Sequence, residues 1–390
     1  MQTPLSAPEF RRYGRQMQVP EFQALTGQEK LKASSILVVG AGGLGSSALL
    51  YLSAAGVGHI GIQDFDIVEE TNLHRQVIHD TTTVGMLKCD SAKKRIEAIN
   101  PFVKVTTHPE PINNLTGPEI VSQYDLILDC TDRPSTRYII SDLAVLCHKP
   151  LVSGSAIKTD GQLSILNYPV DNGPCYRCFY PTPPKPETVG SCADAGVIGS
   201  CVGLVGVMMC TEAIKLLTGY YDKEWTNPFL GMYSGYGPQQ TLRNFKMRGK
   251  RSDCECQSMT LDKLRSMQYD EWCGSVNYQV LPEDKRMSVD EFEKAIELAD
   301  VVLDVRPREQ FNIANVDFQG KCKNIPWKEM QKMDPKDLPD WQKVLVVCRR
   351  GNASQLATQW LLSNNVNVLA DLVGGLSKWS EERGDMPIYW

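Results

Sequence analysis

The chain has 390 residues, 42% of them hydrophobic and 22% charged, enough for two domains of ordinary size whose cores fold unaided. A formal net charge of -5 with no long basic run argues against a nucleic-acid-binding surface or an anchor to anionic membranes, so proteins and nucleotides are the expected partners. Thirteen cysteines, an odd number with Cys-x-x-Cys clustering, fit metal binding and thiol chemistry in a reducing compartment better than a disulfide framework.

Residues 1–18 are polar, contain Arg11, Arg12 and Arg15, and lack the apolar segment of a secretory signal, so a cytoplasmic location is expected. Ser35–Val39 is a short apolar run ended by Gly40-Ala41-Gly42-Gly43-Leu44-Gly45, and Ser46–Ala55 reads as a helix: strand, tight turn, helix. Further apolar runs, His59–Gln63 and Asp125–Asp129, end at Asp64 and at the Cys130-Thr131-Asp132 turn, with helix-like stretches between. Such alternation predicts a parallel sheet covered on both faces, with ligands bound at the carboxyl ends of its strands. The glycines, Asp64 and Asp132 all fall there.

Pro181–Glu187 must be extended, and it delivers the chain to Cys192. Ala195–Thr211 is uncharged but shorter than the roughly 20 apolar residues that span a bilayer. It reads as a buried helix whose Gly199 and Gly203 let another backbone come close. The pattern loosens through 257–287, taken as a linker with some helix around Leu261–Tyr269. A second α/β unit follows, with a capped helix at Ser288–Glu297, strands at Val301–Val305 and Val344–Val347, and a helix at Ser354–Ser363.

Glycines 40, 42 and 45 fit a dinucleotide fingerprint, in which backbone approaches a pyrophosphate at a helix amino terminus. Asp64, 19 residues past Gly45, is placed to accept from ribose hydroxyls. To this point a nicotinamide-dependent dehydrogenase fits equally well. Asn72-Leu73-His74-Arg75-Gln76 and Lys88 then supply cations suited to the β and γ phosphates of ATP, and Asp132 is suited to a magnesium ion bridging phosphates. Alternatively, Arg75 and Lys88 are solvated charges and Asp132 caps a helix.

These motifs, with Arg12-Tyr13-Gly14-Arg15-Gln16, Asp64-Phe65-Asp66 and Gly173-Pro174-Cys175-Tyr176-Arg177-Cys178, resemble the ubiquitin-activating-enzyme-like adenylyltransferases of molybdopterin and thiamine synthesis. The resemblance spans Phe10 to about Cys256. It implies that Asp64 binds ribose, that Asn72, Arg75 and Lys88 hold the triphosphate, that Asp132 serves Mg2+, and that Arg15 reaches the neighbouring site of a homodimer. Arg133 departs from the asparagine frequent in the family.

Cys175-x-x-Cys178 and Cys254-x-Cys256 offer four thiolates, the number that closes a structural Zn2+ tetrahedron. The family's second pair is usually Cys-x-x-Cys, and the shorter spacer here pinches the chelate. The alternative is two unrelated cysteine pairs. Cys192 lies on a loop at a helix start, where unpaired amides and the helix dipole favour a thiolate. The resemblance makes it the cysteine that receives an activated carboxyl terminus, by thioester or acyl disulfide.

Lys343–Val347 is a buried strand ending at Cys348, followed by Arg349-Arg350-Gly351-Asn352-Ala353-Ser354 and a helix. A loop of backbone amides with two arginines suits a thiolate or a persulfide. With Asp304-Val305-Arg306 and Gly374-Gly375-Leu376-x-x-Trp379, the region from Ser288 resembles rhodanese sulfurtransferases, although Ala353 stands where close relatives often have aspartate.

The whole chain therefore resembles the eukaryotic molybdenum cofactor synthesis protein 3 family. The expected architecture is a Rossmann-like adenylation domain with a mainly parallel sheet (1–256), a linker (257–287) and a smaller α/β rhodanese domain (288–390). The resemblance implies ATP-dependent adenylation of the terminal glycine of a ubiquitin-related modifier or a molybdopterin-synthase small subunit, then sulfur transfer from Cys348 to give a thiocarboxylate. It further implies a cysteine desulfurase or other sulfur donor, and service to tRNA wobble-uridine thiolation, molybdopterin synthesis or protein conjugation. A nicotinamide-dependent oxidoreductase and a noncatalytic carrier scaffold are the competing classes.

Overall fold

The structure, a computed structural model, describes residues 3–183, 196–273 and 279–387. The chain divides into two compact units, Met1–Ser275 and Val276–Trp390. In the first, β1 (Ser35–Val39), β2 (His59–Gln63), β3 (Lys104–His108), β4 (Leu126–Asp129) and β5 (Leu151–Ile157) are parallel, in the order β3-β2-β1-β4-β5. Three antiparallel strands, β6 (Asp160–Leu166), β7 (Phe229–Ser234) and β8 (Thr241–Lys246), extend the sheet beyond β5.

The residues of β1 explain why the sheet is covered on both sides. Ile36 and Val38 point into one core with Leu49, Ile60 and Leu128, while Leu37 and Val39 point into another with Tyr124, Ile127 and Ile140. A period of two with every position apolar is what a strand buried on both faces requires. Six helices matter for the site: α1 (Ala7–Met17), α2 (Ala24–Ala33), α3 (Gly43–Ala55), α4 (Lys88–Ile99), α5 (Pro134–Leu146) and α6 (Gly199–Thr218). Helix α3 begins at Gly43, so the last glycines of the loop form its first turn.

By length and composition α6 is long and apolar enough to cross a membrane, which the shorter stretch read from the sequence was not. One of its faces is buried. A Cβ on Gly206 would lie 2.1 Å from Ser47 Oγ and 2.3 Å from the Leu44 carbonyl of α3. Of the glycine pair expected to allow close packing, Gly199 does so, against the His74 carbonyl, but Gly203 meets nothing within 4 Å. Gly206 is the second packing glycine.

Residues 257–273 of the stretch read as a linker are folded. They pack on the first unit, with Leu264 in its core and the Tyr269 hydroxyl donating to Asp142 Oδ2 at 2.7 Å. The cause is Arg177, buried with bidentate hydrogen bonds to Asp142 and capped by the Trp272 ring at 4.4 Å. An arginine so buried needs partners on every side, and these residues supply them.

In the second unit five parallel strands run in the order β11-β10-β12-β13-β9: β9 (Arg286–Met287), β10 (Val301–Asp304), β11 (Cys322–Asn324), β12 (Val344–Val347) and β13 (Val368–Leu372). Helices α7 (Val289–Ile296), α8 (Ala353–Ser363) and α9 (Gly375–Arg383) lie beside them. Ser288 caps α7 in a reciprocal box with Glu291. Leu345 and Val347 enter one core while Val344 and Val346 enter the other.

Candidate active site

The turn between β1 and α3 is held by contacts that leave no room for side chains. Gly40 has φ +96°, and a Cβ on Gly45 would lie 1.9 Å from the Gly40 carbonyl oxygen. Gly42 differs: the nearest atom to a Cβ there is Gln76 Nε2, at 3.7 Å. The space above Gly42, at the amino end of α3, leaves room for an anion to approach backbone amides.

Ala41 is gripped from both sides. Its amide donates to Asp64 Oδ2 at 2.7 Å, and its carbonyl accepts from His79 Nε2 at 3.0 Å. The other Asp64 oxygen accepts from the Asp66 amide at 2.9 Å. Both oxygens keep a lone pair for a ligand hydroxyl. Burial pushes the Asp64 carboxyl up, with Lys88 opposing that shift. Lys88, buried at the start of α4, pairs with the half-exposed Asp66 at 2.8 Å.

Asn72 and Arg75 act as a pair, with Arg75 Nη2 donating to Asn72 Oδ1 at 2.6 Å. The Arg75 carbonyl lies 3.6 Å from the Cβ position of Gly43, which brings this segment to the glycine turn. Asp132 is exposed just past β4, beside Cys130, whose carbonyl abuts Gly40. It does not cap α5, whose cap residue is Arg133, so that bland reading of Asp132 falls. A groove lined by Arg137, Ser153, Gly154, Gln162, Tyr180 and Leu230 adjoins the same end of β4, where Arg137 donates to the carbonyls of Thr131 and Gly154.

Thus the turn, Asp64, Asn72, Arg75 and Lys88 are brought together, and Asp132 lies two residues past the Cys130 carbonyl that abuts the turn. Arg15 is not among them: it is exposed on α1. Cys192 and residues 184–187 lie outside the described residues. Sequence reasoning missed His79 and Arg137, because a histidine 38 residues from the loop it supports carries no spacing signal.

Cys175, Cys178, Cys254 and Cys256 are all buried, with their sulfurs within 4.8 Å of one another. Cys175 Sγ is 3.7 Å from Cys178 Sγ and 3.6 Å from Cys254 Sγ. Zinc–sulfur bonds near 2.3 Å in a tetrahedron put sulfurs about 3.8 Å apart, so the donor set fits a closed zinc site, one-residue spacer included.

In the second unit Cys348 is buried at the end of β12, and its carbonyl accepts from the Leu376 amide at 2.9 Å. The following Arg349 carbonyl is held likewise by the Ser377 amide. Gly351, Asn352 and Ala353 lead into α8. The two arginines differ, since Arg349 is buried and Arg350 exposed, so Arg350 is the one that meets solvent. The sulfur lies 3.3 Å from Ser354 Oγ. Asp304 and Arg306 form a buried ion pair at 2.6 Å, and Trp379 packs edge-on against Phe292 and Phe318, so these two marks support the core.

Residues 13–256 match the ThiF family and residues 288–382 match the rhodanese-like domain. The adenylyltransferase and sulfurtransferase UBA4 of Meyerozyma guilliermondii is 50% identical over 99% of this chain and 91% of its own length. The protein of the same name from Scheffersomyces stipitis is 51% identical over 96% of this chain and 87% of its own. Among solved structures, E. coli MccB with MccA-N7isoASN shares the fold at a TM-score of 0.55 and 20% identity, over 65% of this chain and 75% of that one.

Proposed function

The chain belongs to the ThiF family, joined to a rhodanese-like domain, and is an adenylyltransferase and sulfurtransferase acting on a ubiquitin-like carrier; on that premise we propose that it makes a carrier thiocarboxylate using the residues assembled above. ATP lies over the turn at Gly40, Gly42, Gly43 and Gly45, with its ribose at Asp64 and its phosphates near Asn72, Arg75 and Lys88. Asp132 would hold Mg2+, which would supply charge neutralisation at the phosphates. The carrier's terminal segment enters the groove beside Arg137, and its glycine carboxylate attacks the α-phosphorus, with pyrophosphate leaving. Arg15 completes the site of a second copy. Positive groups fixed before reaction are worth most where phosphate charge is transferred.

A persulfide on Cys348, loaded by a cysteine desulfurase or another donor of sulfane sulfur, then attacks the acyl carbonyl and AMP leaves. The product is an acyl disulfide. A second thiolate, assigned to Cys192, attacks the Cys348 sulfur, so that the sulfur–sulfur bond breaks, the thiocarboxylate departs and an external thiol reduces the remaining disulfide. The four cysteines would hold Zn2+ with all four thiolates, and its role there would be structural. The setting is the cytoplasm, and the outlets for the sulfur are tRNA wobble-uridine thiolation, molybdopterin synthesis or conjugation.

The observation that carries this reading is the joining of the nucleotide turn and the Cys348 loop in one chain with full-length relatives near 50% identity. The test is mass spectrometry of a carrier ending in glycine, incubated with the protein, ATP, Mg2+ and thiosulfate. The mass gain of sulfur replacing one oxygen is expected with the wild type and absent with Cys348→Ala. Equal gain in both overturns the role of Cys348.

A further inference from the structure

If Cys348 carries sulfur, as proposed above, its thiol proton must leave before sulfur arrives, and a line of buried polar groups stands behind it. Ser354 Oγ, 3.3 Å from Cys348 Sγ, lies 2.8 Å from Asp371 Oδ2, and Ser354 and Asp371 are both wholly buried. Since a carboxylate only accepts, the Ser354 O–H is directed to Asp371 and its lone pairs face the sulfur. The thiol is then the donor. On the far side Arg286 Nε donates to Asp371 Oδ1 at 3.0 Å, and Arg286 Nη2 donates to the Gly351 carbonyl in the persulfide loop at 3.3 Å. A second donor, Gln355 Nε2, fixes that carbonyl at 2.7 Å.

We propose that Asp371 takes up the Cys348 proton through Ser354, making Ser354 a catalytic residue and Asp371 and Arg286 positioning residues of sulfur loading. As the proton on Sγ passes to Ser354 Oγ, the hydroxyl proton of Ser354 passes to Asp371 Oδ2. No proton leaves the unit, and the net change is one thiolate formed and one carboxylate neutralised. The thiolate attacks the sulfane sulfur of thiosulfate or of a donor persulfide. One sulfur–sulfur bond forms while another breaks, and its electron pair leaves on sulfite or on the donor thiolate. The Asp371 proton returns to Cys348 when the loop discharges.

The surroundings suit an internal transfer. Burial pushes the Asp371 carboxyl above the usual range, with Arg286 opposing, so it accepts a proton more readily than a solvated carboxylate. Among the described residues, the other charges on the packed elements include Arg349 and Arg350 on the loop itself and Lys285, which donates to the Val368 carbonyl of β13 at 2.9 Å. Asp304 and Arg306 on the adjoining strand β10 are paired with each other, and Lys378 on α9 with Glu382. The Ser–Asp pair forms part of the fold, so it is in place before any donor binds.

The test is the rate of iodoacetamide alkylation of Cys348 in the full-length protein, followed by mass spectrometry of its peptide across about pH 5 to 9, a span that brackets an ordinary cysteine's titration on its acid side. Because its proton can be placed internally, the wild type is expected to keep a pH-independent floor of reactivity toward the acid end of that span. Ser354→Ala and Asp371→Asn are expected to lose that floor and to fall about tenfold per pH unit, the slope of a thiol that must ionise to solvent. The double variant is expected to lose no more than either single one, as residues acting as a unit do. Ser354→Ala keeps the Arg286–Asp371 pair, so it decides the matter if Asp371→Asn fails to fold. A wild type that falls tenfold per unit throughout, or variants that keep the floor, overturns the relay. Alkylation needs neither carrier nor ATP. Failure of the relay is therefore distinct from failure of the sulfur-transfer reading, which would appear as thiocarboxylate made by Cys348→Ala.

Discussion

His79 Nε2 donates to the Ala41 carbonyl at 3.0 Å, tying the nucleotide turn to a histidine 38 residues further on. A carbonyl only accepts, so Nε2 carries the hydrogen; burial favours the neutral ring, whose Nδ1 then accepts from Ser91 Oγ at 2.8 Å. The imidazole is thereby fixed as one neutral tautomer. His79→Ala removes about 1 kcal/mol of net hydrogen bonding from the turn, or roughly fivefold in the KM for ATP. Carrier-dependent pyrophosphate exchange measures this, with kcat expected to change less.

The same histidine makes stability depend on pH. Burial lowers its pKa, with Lys88 adding to the effect. The folded chain then refuses a proton that the unfolded chain binds, so stability holds above the ordinary histidine value of about 6.5 and falls as pH drops below it. His59, His74 and His108 are shifted the same way. Urea midpoints for wild type and His79→Gln at neutral and mildly acid pH are expected to converge on acidification, because the variant lacks this one penalty.

Gly42 and Gly45 are expected to fail differently. A Cβ at Gly42 meets only the end of the Gln76 side chain, so Gly42→Ala should keep its melting temperature and lose ATP binding by at least about tenfold, a cost near 1.4 kcal/mol. At Gly45 the new carbon lies 1.9 Å from a backbone oxygen, so Gly45→Ala should melt early. Thermal melts alongside ATP titrations separate the two.

Zinc analysis of the purified protein is expected to give one ion per chain, lost in Cys178→Ser. A loss of about 3 kcal/mol lowers the melting temperature of a unit this size by roughly 6–12 °C. Alkylation of Cys348, in the other unit, should not change.

Asp142→Ala leaves Arg177 buried without its bidentate partner. Breaking such a pair costs about 3–5 kcal/mol, and the loss should appear in the first unit as a lower urea midpoint. Because Tyr269 also loses its acceptor, limited proteolysis should then cut within 257–273.

The parallel strands were legible because residues 36–39 of β1 and all of β12 are apolar, and the two strands end at residues of a different kind, a glycine turn and Cys348. Asp64 and Asp132 stand near the glycine turn because strand ends in such sheets converge, whereas Asn72, Arg75 and Lys88 are carried there by the segment between β2 and α4. Supports reached by side chains from afar were not legible. His79 sits in no motif, and Arg177 attracts residues some 90 positions away that look like a linker when only local pattern is read. Asp371 did leave a trace: it is a lone acid in the buried strand VLADL, and a charge in such a place demands a partner.

Strand β9 is two residues long, yet it sets where the second unit can be severed. A fragment starting at Ser288, where the rhodanese-like match begins, discards both residues of that strand. Asp371 would then stand buried opposite no guanidinium, and β13 would present a bare edge open to pairing with another chain. A soluble fragment should therefore begin upstream of Arg286, and shorter truncations are expected to aggregate.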